Sequence, residues 1–172
     1  MKDCLDKDYN EKASCDCKTD IDLTEAIASS KTLLLFCGRG VDAQFTSDTS
    51  PAVNVGFVTV DTTDLCRALV KIKFSSVVNL SSELANPVAQ IVFTLSRTCE
   101  DSGTLLLNTW TYEASLLTDN AVPLTFNTSF TFNFCDRLSC SRCCDYCVEA
   151  SVGSLTNAVV LVNDVNIQAI AQ

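Results

Sequence analysis

The chain has no histidine among its 172 residues. That removes Ser-His-Asp and Cys-His arrangements, imidazole-ligated metals and the commonest general base at neutral pH. The motifs G-x-S-x-G, G-x-x-x-x-G-K-[ST] and G-x-G-x-x-G are missing too, so neither a nucleophile elbow nor a phosphate-binding loop is present. No apolar run reaches the roughly 18 residues of a transmembrane helix, and membrane insertion is not expected. Positive charge is short: 12 Lys and Arg stand against 21 Asp and Glu, a net charge of -9. With a pI near 4.3, the chain would be repelled by nucleic acid and by anionic membrane, which excludes both as partners. The stretch Met1 to Lys18 is polar, with Lys2, Asp3, Asp6, Asp8, Glu11 and Asp16. It lacks the apolar segment of a secretory signal. Either a leader has been removed, or the protein is made in a cytosol without that export route.

The remaining candidates for chemistry read as structure. Gly38-Arg39-Gly40 reads as a turn after the first strand, from glycine's turn preference. Asp61 and Asp64 flank Thr62-Thr63 and read as a solvated turn rather than the acid pair of a glycosidase. Asp20 with Asp22, and Glu100 with Asp101, do not form the spaced oxygen-ligand loop that calcium needs. No catalytic, cofactor-binding or metal-binding residue is assigned, and an enzyme is not expected.

Apolar residues make up 47% of the chain and charged residues 19%, which is material for one ordinary core and not the composition of disorder. Residues 1–30 are charged and small and show no sustained periodicity, so they read as a connector arm. Residues 31–172 read as one domain. Runs of Val, Ile, Leu, Phe and Thr, separated by Ser, Asn, Asp, Gly and Pro, predict strands at 32–37, 52–60, 67–76, 88–97, 104–113, 123–134, 144–152 and 157–170. In the clearest, Phe126, Thr128, Phe130, Phe132 and Phe134 share one face, the period-two pattern of a half-buried antiparallel strand. Ile91-Phe93-Leu95 and Val165-Ile167-Ala169 repeat it. Strands without helices to cover a parallel sheet predict an all-β, eight-stranded sandwich of jelly-roll type, with an immunoglobulin-like sandwich second.

Cysteine is the most informative residue. The eleven lie at Cys4, Cys15, Cys17, Cys37, Cys66, Cys99, Cys135, Cys140, Cys143, Cys144 and Cys147. A domain of this size does not need staples to bury a core. An odd total leaves at least one thiol without a partner inside the chain, which favours pairing between chains or a free thiol. Cys140-Ser141-Arg142-Cys143-Cys144-Asp145-Tyr146-Cys147 holds overlapping C-x-x-C pairs that could grip zinc. The spread of cysteines over the whole chain favours disulfides there instead. A redox-active C-x-x-C would want a following helix to lower one thiol's pKa, and no helical pattern follows.

Cys4, Cys15 and Cys17 lie in the arm and are the candidates for bonds to neighbouring subunits. The sandwich cysteines, Cys37 through Cys147, are candidates to receive them or to staple the core. From Cys15 to the first strand, about 15 residues reach roughly 50 Å when extended. A domain of about 140 residues is roughly 35–40 Å across. The arm can therefore cross a neighbour, or lie along an open sheet edge as an added strand. Head-to-tail contacts of this kind give a ring where the rotation closes and a filament where it does not. The competing class is a binding module, either zinc-stabilised or recognising carbohydrate through Trp110, Tyr112 or Tyr146, with Trp110 on an alternating strand reading as core.

Four motifs carry a resemblance: Leu35-Phe36-Cys37-Gly38, Val58 to Cys66 with its Asp61-Thr62-Thr63 centre, Phe132-Asn133-Phe134-Cys135-Asp136, and Cys143-Cys144-Asp145-Tyr146. Over roughly residues 31 to 170 the chain resembles a cysteine-rich family of anaerobic, spore-forming clostridia, known only as a domain of unknown function. Its plan also resembles the endospore appendage subunits of bacilli. Those are jelly-roll proteins that form pilus-like fibres by sheet augmentation and a cysteine-bearing N-terminal connector. The resemblance implies a helical homopolymer on a spore surface or other extracellular appendage, cross-linked by disulfides and without a cofactor.

Overall fold

The computed structural model of the protein describes residues 33–65, 67–100, 102–117, 123–139 and 142–172. The arm, 1–30, lies outside them. Ten strands follow in order: β1 (Leu34–Cys37), β2 (Arg39–Gly40), β3 (Ala43–Phe45), β4 (Val53–Asp61), β5 (Leu69–Ser82), β6 (Val88–Cys99), β7 (Leu105–Ser115), β8 (Leu124–Arg137), β9 (Cys143–Thr156) and β10 (Val159–Ala171). No helix occurs among the described residues, and none is long and apolar enough to cross a membrane.

Two antiparallel sheets result. One is ordered β1-β10-β5-β8, with β3 also on β10, and the other β2-β4-β9-β6-β7. If β1 to β3 are taken as one interrupted strand, successive strands alternate between the sheets except at the β6–β7 hairpin, which is jelly-roll connectivity. The sandwich is as expected, but the count is ten rather than eight, because two short strands, β2 and β3, follow the first expected strand where none was expected. β1 lies along Gln168–Ala171 of β10, and β3 along Val160–Val162 of the same strand. Between them the chain leaves that sheet, and Arg39 and Gly40 pair with Phe57 and Gly56 of β4 in the other.

The crossing is also where the turn expected at Gly38-Arg39-Gly40 proves to be a short strand. Gly38 donates its N–H to the Ile167 carbonyl at 2.9 Å, and Val41 donates to the Val55 carbonyl at 2.9 Å. The backbone thus serves both sheets within four residues. It can do so only without side chains: a Cβ on Gly38 would run into the Phe57 carbonyl oxygen and Ile167, and one on Gly40 into the Val165 backbone. β10 accommodates the departure with a register shift between Asn163 and Asn166, where Asp164 takes φ 51°.

Period-two alternation fixes which side chains meet inside. Val70, Ile72, Phe74, Val78 and Leu80 of β5 face Ile91, Phe93 and Leu95 of β6 and Val58 and Val60 of β4, all fully or almost fully buried. The inward positions of β8 continue the predicted phenylalanine face. Phe130 stacks on Phe93 with centroids 4.4 Å apart, and Phe132 stacks on Phe74 at 4.9 Å and on Trp110 at 3.8 Å. Such pairs add about 0.5–1.5 kcal/mol each beyond area burial. Trp110 is therefore part of the interior, as its alternation implied.

Among the described residues, only one side of the sandwich has a segment shared by both sheets. There the first strand covers β10 and β4. On the other side, β7 and β8 are edge strands, each paired with a single neighbour among the described residues. Leu105, Leu106 and Phe126 on them are 50%, 60% and 44% exposed.

Gly40→Ala should lower stability by roughly 1–3 kcal/mol, since the new methyl meets backbone that cannot move without disturbing β10. Gly103→Ala, with open space around its Cβ position, is the control and should be neutral or slightly stabilising. Urea denaturation midpoints of the two variants check this.

Candidate functional site

The cysteines of the sandwich fall into three environments. Cys99 ends β6 directly opposite Cys144 of β9, and the two form a disulfide across the strands, closing a loop with a sequence separation of 45. Cys143 is disulfide-bonded as well. Two thiols of the expected 140–147 cluster are thereby committed to disulfides and cannot grip zinc. Among the described residues no group of three or more His, Cys, Asp or Glu could hold a metal ion.

Cys37 and Cys135 carry exposed free thiols. Both sit on one sheet, Cys37 on the β1 edge and Cys135 on the opposite, β8 edge. The register runs from Cys37 to Gln168, to Lys73 and to Asn133, with Cys135 opposite Lys71 two residues further along β8. Three strand spacings separate them, roughly 14 Å. A disulfide needs its Cα atoms within about 7 Å. The two cannot bond to each other within one chain.

Cys147 is also a free thiol, half-buried on the outer side of β9. Burial raises its pKa, and the charges of Glu149 and Asp145 raise it further. Little of it is thiolate near neutral pH, which slows its exchange. As the alternation implied, Cys144 and Tyr146 face inward and Cys147 outward. Cys4, Cys15, Cys17, Cys66 and Cys140 lie outside the described residues.

Next to the Cys99–Cys144 disulfide is a polar cluster that pattern reading had missed. Arg97 of β6 forms an ion pair with Asp136 of β8, and the Tyr146 hydroxyl of β9 donates to the same Asp136 Oδ2 at 2.8 Å. The three tie one sheet to the other. A signal was present: Asp136 continues the inward phase of Phe130, Phe132 and Phe134, and Arg97 that of Phe93 and Leu95. A charge on an inward phase needs a partner. Burial, followed by the charge of Asp136 and the hydrogen bond to it, pushes the Tyr146 pKa far above its ordinary value.

The other candidates are placed as follows. Asp61 accepts from the Thr63 N–H at 3.0 Å and from Thr63 Oγ1 at 2.7 Å, a side-chain-braced turn with Asp64 exposed beyond it. Trp110 is stacked on Phe132 between the sheets, and Tyr112 and Tyr146 are 7% and 0% exposed. None offers a carbohydrate platform.

The fold and its surface define a jelly-roll sandwich with open edges and outward thiols. Residues 31–172 match the family described as a domain of unknown function, DUF4489, and the chain belongs to that family. No curated protein matches the chain.

Tyr146 gives a pH dependence with a definite sign. The unfolded chain releases that phenolic proton near pH 10.0, while the folded protein retains it. The resulting contribution is complete below pH 10 and is lost as pH rises above it. Tyr146→Phe should lose about 1–3 kcal/mol at pH 7 but show a smaller further decline between about pH 10 and 11. Denaturation midpoints measured across that range for both proteins test it.

Proposed function

We propose that the protein is a self-assembling structural subunit of a disulfide-cross-linked extracellular fibre on a spore surface. Its N-terminal arm docks on a neighbouring subunit and bonds to it covalently. The observation that carries this reading is the placement of Cys37 and Cys135. They are exposed thiols on opposite edges of one sheet, too far apart to bond to each other and so suited to partners on two different chains. The odd cysteine total and the cysteines of the arm, Cys4, Cys15 and Cys17, point the same way. The open β7 and β8 edges supply unpaired backbone groups of the kind a donated strand satisfies.

Each link forms when two thiols give up two protons and two electrons to an external oxidant, either dioxygen or a small-molecule disulfide acting by exchange. Cys15 and Cys17, with Cys4, are the donors from the arm. Cys37 and Cys135 are the receivers, and Cys147 is held back by its acidic, half-buried setting. Because the donor and receiver surfaces differ, each added copy presents a new receiver, and growth continues into a helical homopolymer. The spore-surface setting rests on the resemblance to cysteine-rich clostridial proteins and to endospore appendage subunits. In this reading the protein has no catalytic role and needs no cofactor.

Oxidised protein should give filaments by negative-stain microscopy and a ladder on a non-reducing gel that dithiothreitol collapses. Cys15→Ser/Cys17→Ser should remove most of the ladder, whereas Cys147→Ser should leave it. A monodisperse monomer that persists after oxidation would falsify the proposal.

A further inference from the structure

The two outer faces of the sandwich carry opposite charge. On the sheet of β1, β10, β5 and β8, alternation sends Lys71 and Lys73 of β5 and Arg137 of β8 outward, and all three are exposed. Lys71 lies opposite Cys135 and Lys73 opposite Asn133. No carboxylate occurs on β1 or β5, Asp136 of β8 points inward to Arg97, and Asp164 at the bulge is the only acid of β10. Lys71, Lys73, Asn133, Gln168 and Ile170 line a shallow depression in this face.

The other sheet is acidic outside. Asp145 and Glu149 of β9 and Glu113 of β7 project outward, with Arg39 of β2 as the cation on that side. Asp145 accepts from Thr59 Oγ1 at 2.7 Å and Glu113 from Gln90 Nε2 at 2.7 Å. Their neighbours orient them without neutralising them. Among the described residues the one ion pair is Arg97–Asp136, so the outward Lys71, Lys73, Arg137, Glu113, Asp145 and Glu149 form no ion pair with one another or with any other described residue. Phe57, opposite Cys147 in the register, adds an apolar contact point at 43% exposure.

We infer that the basic face of one copy stacks on the acidic face of the next. This rests on the proposed self-assembly and specifies its non-covalent contact. Three strands of 13 or 14 residues at about 4.8 Å spacing, with the short β1 and β3 in line beside them, offer a face of roughly 19 by 40 Å. That is roughly 750 Å² per copy, close to the roughly 800 Å² per partner of a stable specific interface. A second copy answers both unneutralised faces at once. The arm, with eight acids against four lysines in residues 1–30, is net acidic and complements the basic face rather than the acidic one. Because the two faces differ, the contact is heterologous and propagates instead of closing as a dimer.

The test uses the full chain. An isotopically mixed sample (half ¹⁵N-labelled) is treated with a carbodiimide, which condenses a lysine amine with a carboxylate into an amide with loss of water. Mass spectrometry should find Lys71 or Lys73 of one isotope joined to Asp145 or Glu149 of the other. Lys71→Glu/Lys73→Glu and Asp145→Lys/Glu149→Lys, all at surface positions, should each cut filament yield by about tenfold or more. An equimolar mixture of the two variants should restore it, since each then meets its complement. Raising salt from about 50 to about 500 mM should weaken growth of the wild type. Links from Lys71 to Asp16, Asp20 or Asp22 of the arm, or full filament yield from Asp145→Lys/Glu149→Lys alone, would overturn the stacking and leave the fibre standing. A wild-type protein that stays monomeric in every condition would overturn both.

Discussion

Backbone groups at a sheet edge must be paired or left to water, and the sandwich treats its two sides differently on this point. On one side the first strand pairs with β10, crosses at Gly38 and Gly40 to pair with β4, and returns to β10. One short segment thus bridges the two sheets and is itself the edge strand of each, paired with a single neighbour at every residue. The opposite side, β7 and β8, has no such segment among the described residues. Its interior is held by the stacked rings of Phe130, Phe132 and Trp110 while the strand edges stay available. A fold bridged by a shared segment on one side and not on the other has a built-in polarity, which a head-to-tail polymer requires.

The end of the sandwich near Cys99 is fastened in two ways. The Cys99–Cys144 disulfide closes a loop with a separation of 45, worth about 4 kcal/mol on the chain-entropy account. One step inward, Arg97 and Tyr146 converge on Asp136. The disulfide joins strands of one sheet, whereas the polar cluster joins the two sheets, so they constrain different motions. A subunit that transmits force along a fibre benefits from both, because neither the strands nor the layers can slip separately.

Surface charge and thiols have a related logic. The free thiols that face outward without acidic neighbours, Cys37 and Cys135, lie on the sheet with the lysines. Cys147 lies between two carboxylates on the other sheet, and its pKa is raised. The exposed and the half-buried free thiols are therefore sorted onto the two faces. In the proposed assembly the basic face of this acidic protein offsets the net-charge repulsion that would otherwise keep copies of the chain apart.

Much of this was legible in the sequence, and the reasons are physical. Period two is local: it placed Phe130, Phe132, Ile91 and Ile167 on inward faces and predicted two-sheet packing before any pairing was known. The absence of histidine and the odd cysteine count needed no structure either. Boundaries shifted by one to several residues, as β5 and β9 show by running on to Ser82 and Thr156, because strand ends are set by partners and not by composition. Pairing across the chain was beyond reach. Residues 99 and 144 become neighbours, and 37 and 135 stay apart, only through strand order, and so does the meeting of Arg97, Asp136 and Tyr146. The sequence by itself determined the strand alternation, the all-β class and the surplus of thiols, since each depends on adjacent residues or on a sum. Only the tertiary structure decided which thiols are spent inside and which face outward, and which charges share a face, because those depend on register between segments far apart in the chain.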